Sequence, residues 1–163
     1  MKYCPECGKK LDNSIHVESR NVHVCTCGFI DWDNWVNVSA VTVGFNAQGE
    51  FLMVRMKETG KLTFPGGYRN LGESMEDATK RECLEESGYV VDDLELLNVY
   101  ALDQLRLIWI IYKANIISGS FVDNDEVSEA IFVSPEHPPQ DDMLRGSLSV
   151  RLLHEIIDKT VSK

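Results

Sequence analysis

The chain has 163 residues, of which 44% are hydrophobic and 26% are charged, and its formal net charge is −10 at pH 7. This balance is typical of a globular protein with one main core, and the acidity disfavours a nucleic acid as partner because phosphate backbones select Lys and Arg surfaces. No apolar run is long enough for a membrane span, and the N-terminal residues lack a signal-peptide pattern, so we expect a cytoplasmic protein without a membrane partner.

Four of the five cysteines lie close to the N-terminus, in one Cys-x-x-Cys knuckle and one Cys-x-Cys knuckle. An odd total without a secretory signal argues against a disulfide framework. The two knuckles predict a structural, tetrahedral Zn²⁺ site formed by Cys4, Cys7, Cys25 and Cys27. Because the second knuckle is unusually short, His23 remains an alternative to Cys25 as the fourth ligand.

Residues 1–30 are therefore expected to form a zinc ribbon, and residues 36–163 a separate domain. In chain order, the second region predicts strands at 35–45, 51–56, 62–64, 93–101, 104–116 and 129–134. Helices are predicted at 75–87, with Ser74 as N-cap and Gly88 as C-terminal residue, and at about 147–159. Mixed strands with two helices at these places predict an α/β class fold, an α/β/α sandwich with a mixed sheet.

The first predicted helix carries an unusual group of acids at its C-terminal end. Glu82, Glu85 and Glu86 stand at i, i+3 and i+4, so their carboxylates lie on one helical face. The helix dipole disfavours acids at this end, and a helix selected for stability alone would carry Lys or Arg there. The group is either a solvated acidic face, partly offset by Arg81, or a cluster of hard oxygen ligands for Mg²⁺ or Mn²⁺.

The residues upstream favour the second interpretation, because the whole segment resembles the Nudix box. That motif is a Gly, five residues, Glu, seven residues, then Arg-Glu-aliphatic-any-Glu-Glu-any-Gly-aliphatic. The matching positions here are Gly67, Glu73, Arg81, Glu82, Glu85, Glu86 and Gly88. Cys83 and Tyr89 occupy two aliphatic positions, and both can pack as apolar groups.

The resemblance implies a Nudix fold and attack by water on a phosphorus of a diphosphate. By position, it implies that Glu82, Glu85 and Glu86 bind catalytic Mg²⁺ or Mn²⁺, and a backbone carbonyl at Gly67 could complete that metal site. It also implies that Arg81 orients the glutamates, and that Glu73 helps to fix the loop against the helix.

The general base stays open at this stage. It is either a glutamate of the box or one from a later loop, where Glu126 and Glu129 are the candidates. Their other interpretation is a solvated loop before a strand. We take Glu126 as the later catalytic candidate.

The N-terminal knuckles extend the resemblance to Nudix enzymes that carry a zinc ribbon and act on NADH, ADP-ribose or FAD. The predicted function is Mg²⁺-dependent hydrolysis of such a small-molecule nucleotide, which releases AMP and a phosphorylated product. A nucleoside triphosphate pyrophosphohydrolase and a non-catalytic nucleotide sensor are the alternatives. Trp32, Trp35, Tyr68 and Tyr100 are candidates for stacking on adenine, or else pack internally. A homodimer is compatible with the sequence, which leaves the oligomeric state open.

Overall fold

The computed structural model describes residues 1–161, and the chain divides into two compact units, Met1–Val36 and the part from Asn37 onward. The first unit holds an antiparallel sheet of β1 (Asn13–Val17), β2 (Arg20–Val24) and β3 (Ile30–Asp31). Cys4, Leu11 and Cys25 pack with Phe29 into a small apolar cluster. Sequence periodicity does not reveal these strands, because most of their side chains are exposed.

The second unit is built on a mixed sheet. Within the described residues it has seven strands, which are β4 (Asn37–Phe45), β5 (Phe51–Met56), β6 (Leu62–Thr63), β7 (Gly66–Tyr68), β8 (Tyr89–Leu102), β9 (Leu107–Gly119) and β10 (Val127–Val133). The main order is β10-β5-β4-β9-β8, with β6 beside β5 and β7 beside β4. The pairing of β4 with β9 is parallel, and the other pairings are antiparallel.

Two helices, α1 (Met75–Ser87) and α2 (Gly146–Val161), cover the sheet. Leu52 of β5 packs in a buried cluster with Cys83 of α1, whereas its neighbours Phe51 and Met53 pack in a cluster with Leu152 of α2. Successive strand residues point to opposite faces, so the helices lie on opposite sides of the sheet. The predicted α/β/α sandwich with a mixed sheet is confirmed.

The ends of α1 follow from local chemistry, and its bounds match those predicted from the sequence. The Ser74 hydroxyl oxygen accepts from the Asp77 backbone N–H at 3.0 Å, and the hydroxyl donates to the Asp77 carboxylate at 2.7 Å. Gly88 ends the helix in the left-handed region at φ 76°, and its N–H donates to the Leu84 carbonyl. A Cβ at Gly88 would lie 2.2 Å from the Ser120 carbonyl oxygen, so a side chain is excluded there.

Among the later strands, β8 and β10 are longer than the sequence predicts, whereas β9 has the predicted length but lies three residues further along the chain. β8 begins directly after Gly88 and pairs with β9 through three register shifts. Each shift reverses the inward and outward alternation of side chains, which hides the period of two. Among the described residues, no helix has the length and apolarity needed to cross a membrane.

Candidate active site

The acidic end of α1 opens onto a cleft of about 600 Å³. Its lining includes Arg81, Glu82 and Glu86 from the helix and Glu126 from the loop before β10. A smaller depression of about 210 Å³ shares Glu82, Glu86 and Glu126 and adds Glu85. Four of the five residues predicted to be catalytic therefore line the cleft, and all four predicted acids line the depression.

Glu86 is the most deeply placed of these acids, with 8% of its surface exposed. Burial raises its pKa to about 7, and the charges of Glu82 and Glu126 act in the same direction. The backbone N–H of Gly66 opposes this shift by donating to Glu86 Oε2 at 2.8 Å. Gly66 belongs to β7, which pairs with β4, so the sheet itself orients this carboxylate.

Arg81 gathers the remaining acids of the motif. Its Nε and Nη2 donate to the two carboxylate oxygens of Glu73 at 2.7 and 2.9 Å. Its Nη1 donates to Glu82 Oε1 at 2.6 Å and to Glu85 Oε2 at 3.0 Å, and Nη2 also reaches the Tyr68 carbonyl. The Arg81 guanidinium holds the pKa of Glu73 at about 2, well below its usual range.

Glu73 also holds the loop between β7 and α1. Its carboxylate accepts from the Asn70 backbone N–H at 3.0 Å, and its own N–H donates to the Asn70 carbonyl at 3.2 Å. Its carbonyl accepts from Arg69 Nε at 2.7 Å. These contacts tie the loop to Arg81 and through it to the acids of α1.

The two glycines of β7 allow close approaches, which at Gly66 involve backbone and leave no room for a side chain. A Cβ at Gly67 would lie 2.4 Å from Glu82 Oε2, and a Cβ at Gly66 would lie 2.3 Å from the Ala40 carbonyl oxygen. The backbone of Gly67 therefore lies directly beside the Glu82 carboxylate.

The donor set fits a hard divalent cation, because Glu82, Glu85, Glu86 and Glu126 supply only carboxylate oxygens. Burial raises the pKa of Glu82 as well, although Arg81 lowers it. A cation bound among these crowded acids would stabilise their charged forms and so oppose the effect of burial. In the described part of the chain, the four cysteines are the only group of three or more possible metal ligands whose ligand atoms all lie within 4.8 Å of one another. The acids of α1 and Glu126 are not gathered to that distance, although they line the same depression.

The two later glutamates, Glu126 and Glu129, have different surroundings. Glu126 lines both cavities, and its charge contributes to the raised pKa of Glu82 and of Glu86. Glu129 lies on β10, where it accepts from Arg55 Nε at 2.7 Å, and it lines neither cavity. The geometry favours Glu126 and assigns Glu129 to a cross-strand ion pair.

Other residues of the cleft escape sequence reasoning. Arg145 lines the cleft from the segment before α2, and its backbone N–H donates to the Leu62 carbonyl at 2.8 Å. Asn124 lines the smaller depression, and it lies two residues upstream of Glu126 in the loop. Neither residue belongs to a recognisable motif, and their only signal is proximity in the folded chain.

The aromatic candidates fall in different places. Tyr68 lines the cleft with 61% of its surface exposed. Tyr100 is 4% exposed and belongs to the core cluster around α2, so internal packing is the correct one of its two interpretations. Trp32 and Trp35 belong to the N-terminal unit, where Trp32 lies against the Arg20 guanidinium.

The four N-terminal cysteines form a second site. The Sγ atoms of Cys4 and Cys27 lie 3.6 Å apart, and those of Cys7 and Cys25 lie 3.5 Å apart. Four sulfurs at about 2.3 Å from a tetrahedral Zn²⁺ would be separated by about 3.8 Å, so the cluster could hold zinc. A hydrogen bond from the Cys27 backbone N–H lowers the pKa of Cys25 to about 6, whereas the neighbouring Cys25 thiol and burial raise the pKa of Cys7 and of Cys27 against backbone hydrogen bonds from Lys9 and Phe29. Among the described residues, His23 is not part of this cluster.

Comparison with known proteins agrees with this geometry. A family model described as the NUDIX domain matches residues 34–150. An ADP-ribose pyrophosphatase from Methanocaldococcus jannaschii is 29% identical over 98 residues, which are 56% of this chain and 58% of that protein. The alignment thus spans less than two thirds of that relative. A putative 8-oxo-dGTP diphosphatase from Bacillus subtilis is 30% identical over 101 residues, covering 61% of this chain and 68% of that protein.

The fold also has a close counterpart among solved structures. The crystal structure of a NUDIX hydrolase from Nitrosomonas europaea superposes with a TM-score of 0.80 at 20% sequence identity. The match covers 98% of this chain and 92% of the other chain. At this identity the likeness concerns the fold.

Proposed function

The chain belongs to the Nudix family, and from that premise we propose that it is a pyrophosphohydrolase that cleaves a nucleoside diphosphate linked to another group. The expected products are AMP and a phosphorylated remainder, with ADP-ribose, FAD and NADH as the first substrates to test. The observation that carries this proposal is the convergence of Glu82, Glu86 and Glu126 on one cleft. Glu73, near the start of the motif, bonds to Arg81, and Arg81 in turn bonds to Glu82.

The proposed catalytic cofactor is Mg²⁺ or Mn²⁺, with Glu82, Glu85, Glu86 and the backbone of Gly67 as its binding residues. Bound there, the cation would neutralise the diphosphate and make the attacking water more acidic. The Gly66 N–H keeps one oxygen of Glu86 in a fixed direction. Arg81 holds Glu82 and Glu85 by one guanidinium, which limits their rotamers before substrate arrives.

Glu126 is the proposed general base. Its carboxylate faces the same cleft as Glu82 and Glu86, and within residues 1–161 no hydrogen bond or ion pair engages its side chain. A base in this position can accept the proton of the attacking water while the helix acids bind the cation. Glu129 offers a matched control, because it is a nearby glutamate that lines neither cavity.

One comparison supports an ADP-containing substrate, and one feature of the cleft suits any nucleotide. The Methanocaldococcus jannaschii relative is an ADP-ribose pyrophosphatase. The exposed ring of Tyr68 at the cleft offers a surface on which a base can stack. A nucleoside triphosphate is the second candidate, since the Bacillus subtilis relative is a putative 8-oxo-dGTP diphosphatase.

One chromatographic experiment separates these candidates. The purified chain is incubated with ADP-ribose, FAD, NADH and nucleoside triphosphates in the presence of Mg²⁺ or Mn²⁺, and the products are identified. AMP and a phosphorylated remainder are expected. A nucleoside monophosphate with pyrophosphate from triphosphates alone would replace the ADP-linked substrate by the second candidate. An absence of cleavage with every substrate and both metals would favour the nucleotide sensor.

The same assay tests Glu126. Glu126→Gln is expected to lower kcat by about 100-fold, which is within the range of general acid–base catalysis, whereas Glu129→Gln leaves it near the wild-type value. Equal effects of the two substitutions would remove Glu126 from the mechanism and leave the hydrolase proposal intact.

We also propose that residues 1–30 are a zinc ribbon appended to a Nudix domain at residues 36–163. Cys4, Cys7, Cys25 and Cys27 would hold a structural Zn²⁺. The small apolar cluster around Cys4 and Leu11 is too limited to stabilise this unit alone, so the ion would supply much of its stability.

A further inference from the structure

The loop between β9 and β10 carries a side chain that bonds to two elements at once. Asn124 Nδ2 donates to the Glu86 carbonyl oxygen at 3.1 Å, to the Val122 carbonyl at 3.2 Å and, more weakly, to the Glu85 carbonyl at 3.4 Å. Asn124 Oδ1 accepts from the backbone N–H groups of Glu126 at 3.1 Å and Val127 at 2.9 Å. One amide thus joins the end of α1 to the backbone that carries Glu126.

The NH₂ group of the Asn124 side chain caps the C-terminal end of α1. The last carbonyl groups of a helix have no partner within it. At the end of α1, the Gly88 N–H takes the Leu84 carbonyl, and Asn124 takes the two that follow, at Glu85 and Glu86. These are the backbone groups of two acids that face the cavities. The loop that carries Glu126 therefore also caps α1.

The acceptor half of Asn124 fixes the other side of the loop. Its oxygen accepts from the Glu126 N–H, and the Glu126 carbonyl accepts from the Lys57 N–H at 2.8 Å. Lys57 also pairs with Asp123 at 2.9 Å through its ammonium group. The backbone of Glu126 is held on both sides, whereas its carboxylate is left toward the cleft.

We propose that Asn124 is a positioning residue, which holds the Glu126 carboxylate beside Glu82 and Glu86 by joining its loop to the end of α1. The inference rests on the proposed role of Glu126 as general base. Asn124 touches neither substrate nor the reacting atoms in this account, and acts only by fixing where Glu126 stands. A displacement of about 1 Å at such a group can lower a rate about 100-fold.

The first test is a double-mutant cycle between Asn124 and Glu126. Asn124→Ala is expected to lower kcat by about 10-fold or more with little change in KM, since the geometry of the base is lost. Glu126→Gln lowers kcat by about 100-fold. In the Glu126→Gln protein, adding Asn124→Ala should cost almost nothing further, because the group that Asn124 positions is already inactive.

Asn98→Ala is the matched control. The Asn98 side chain donates to Glu155 at 2.7 Å and accepts from the Val99 N–H, and it lies outside both cavities. This variant likewise removes an asparagine amide that donates to one group and accepts from a backbone N–H, and it should keep the wild-type kcat. The melting temperatures of both alanine variants show whether either change acts through global unfolding.

The second test measures the loop without turnover. In metal-free protein, Asn124→Ala should accelerate amide hydrogen exchange at Glu126 and Val127 by about 10-fold or more, while amides in β4 keep their protection. Independent, multiplying losses of kcat in the cycle would overturn the proposal, as would unchanged exchange at Glu126. If Glu126→Gln alone has no effect, Asn124 has no base to position and the inference falls, while AMP release would still support the hydrolase.

Discussion

Gly66 donates its backbone N–H to Glu86 Oε2 over 2.8 Å, and this bond joins the sheet to the most buried acid of α1. A carboxylate that is removed from water prefers to be neutral, and burial raises the pKa of Glu86 to about 7. Above about pH 7, the metal-free protein therefore keeps a costly charge at this place. Such a cost is reasonable where a cation is bound, and it can be measured when the cation is removed.

Glu86→Gln should stabilise the metal-free protein near pH 8 by about 3 kcal/mol, since the amide keeps an acceptor for Gly66 and carries no charge. The folded pKa is raised above its ordinary value of 4.5. The cost is therefore absent below that value, grows as the pH rises toward about 7, and is constant above it. Urea unfolding with a chelator at several pH values measures the difference, which should vanish near pH 4.

The same variant should lose nearly all turnover, because a neutral amide is a weak ligand for a divalent cation. A folded Glu86→Gln protein with wild-type turnover would remove Glu86 from the metal site. Lower stability of this variant at high pH would contradict the buried charge as the source of the cost.

Arg81→Lys should lower turnover by about 10-fold or more, because an ammonium cannot hold three carboxylates in fixed directions as a guanidinium does. In this structure Arg81 bonds to Glu73, Glu82 and Glu85 at 2.6 to 3.0 Å. The control is Arg151→Lys, which alters an arginine paired with Glu155 on α2. Steady-state kinetics of the two variants compares them, and equal losses would show that the effect of Arg81 is not specific.

Glu73→Gln tests the other side of the same contact through pH. The guanidinium holds the folded pKa of Glu73 at about 2, below its ordinary value of 4.5. A lowered pKa stabilises the folded state above the ordinary value, and this stability is lost as the pH falls through about 2. The wild type should exceed Glu73→Gln in stability near neutral pH, and the difference should shrink in acid. Thermal unfolding across this range measures it, and a difference that grows in acid would contradict the ion pair.

The helix α1 could be predicted from the sequence because all its determinants are local. Ser74, Asp77 and Gly88 act on the backbone within four residues of themselves, and the same holds for the spacing of the acids. The strands of the N-terminal unit and the extent of β8 could not be predicted. The former bury few side chains, and the latter contains bulges whose positions depend on its partner strand.

The same division applies to the cleft. Glu82, Glu85 and Glu86 are neighbours on one helix, so their proximity follows from the helical period alone. Glu126 and Glu129 are equivalent in the sequence, and only the pairing of β10 with β5 sends Glu129 to Arg55. The distances that join Asn124 to Glu86 depend on the path of a loop across the end of α1, which no local pattern records.

The zinc prediction concerns the fourth ligand. Protein purified without chelators should contain about one Zn²⁺ per chain, because four cysteines match a closed structural site. Cys25→Ser should lose this ion, whereas His23→Ala should keep it, since His23 lies outside the cluster within the described residues. Elemental analysis of the three proteins decides the matter. Loss of zinc from His23→Ala alone would make His23 the fourth ligand in place of Cys25. An absence of zinc from the wild type would contradict the zinc ribbon.

The last prediction concerns Arg145, which we expect to bind a phosphate of the substrate. It lines the cleft, and its charge lowers the pKa of Glu86 against the effect of burial. The other arginine of the cleft, Arg81, is already bonded to three carboxylates. Within residues 1–161, no hydrogen bond or ion pair engages the Arg145 guanidinium, which leaves its donors available for phosphate oxygens.

Its backbone is well fixed for such a role. The Arg145 N–H donates to the Leu62 carbonyl at 2.8 Å, and Leu144 forms a parallel bridge with the same residue of β6. Arg145→Gln should therefore raise KM by about 10-fold or more and change kcat little, which is the pattern for a contact made equally to substrate and transition state. Arg151→Gln removes the same charge outside the cleft and should leave KM unchanged. Equal KM values for Arg145→Gln and the wild type would show that the phosphate is held elsewhere, and a selective loss of kcat would instead place Arg145 at the charge that develops during the reaction.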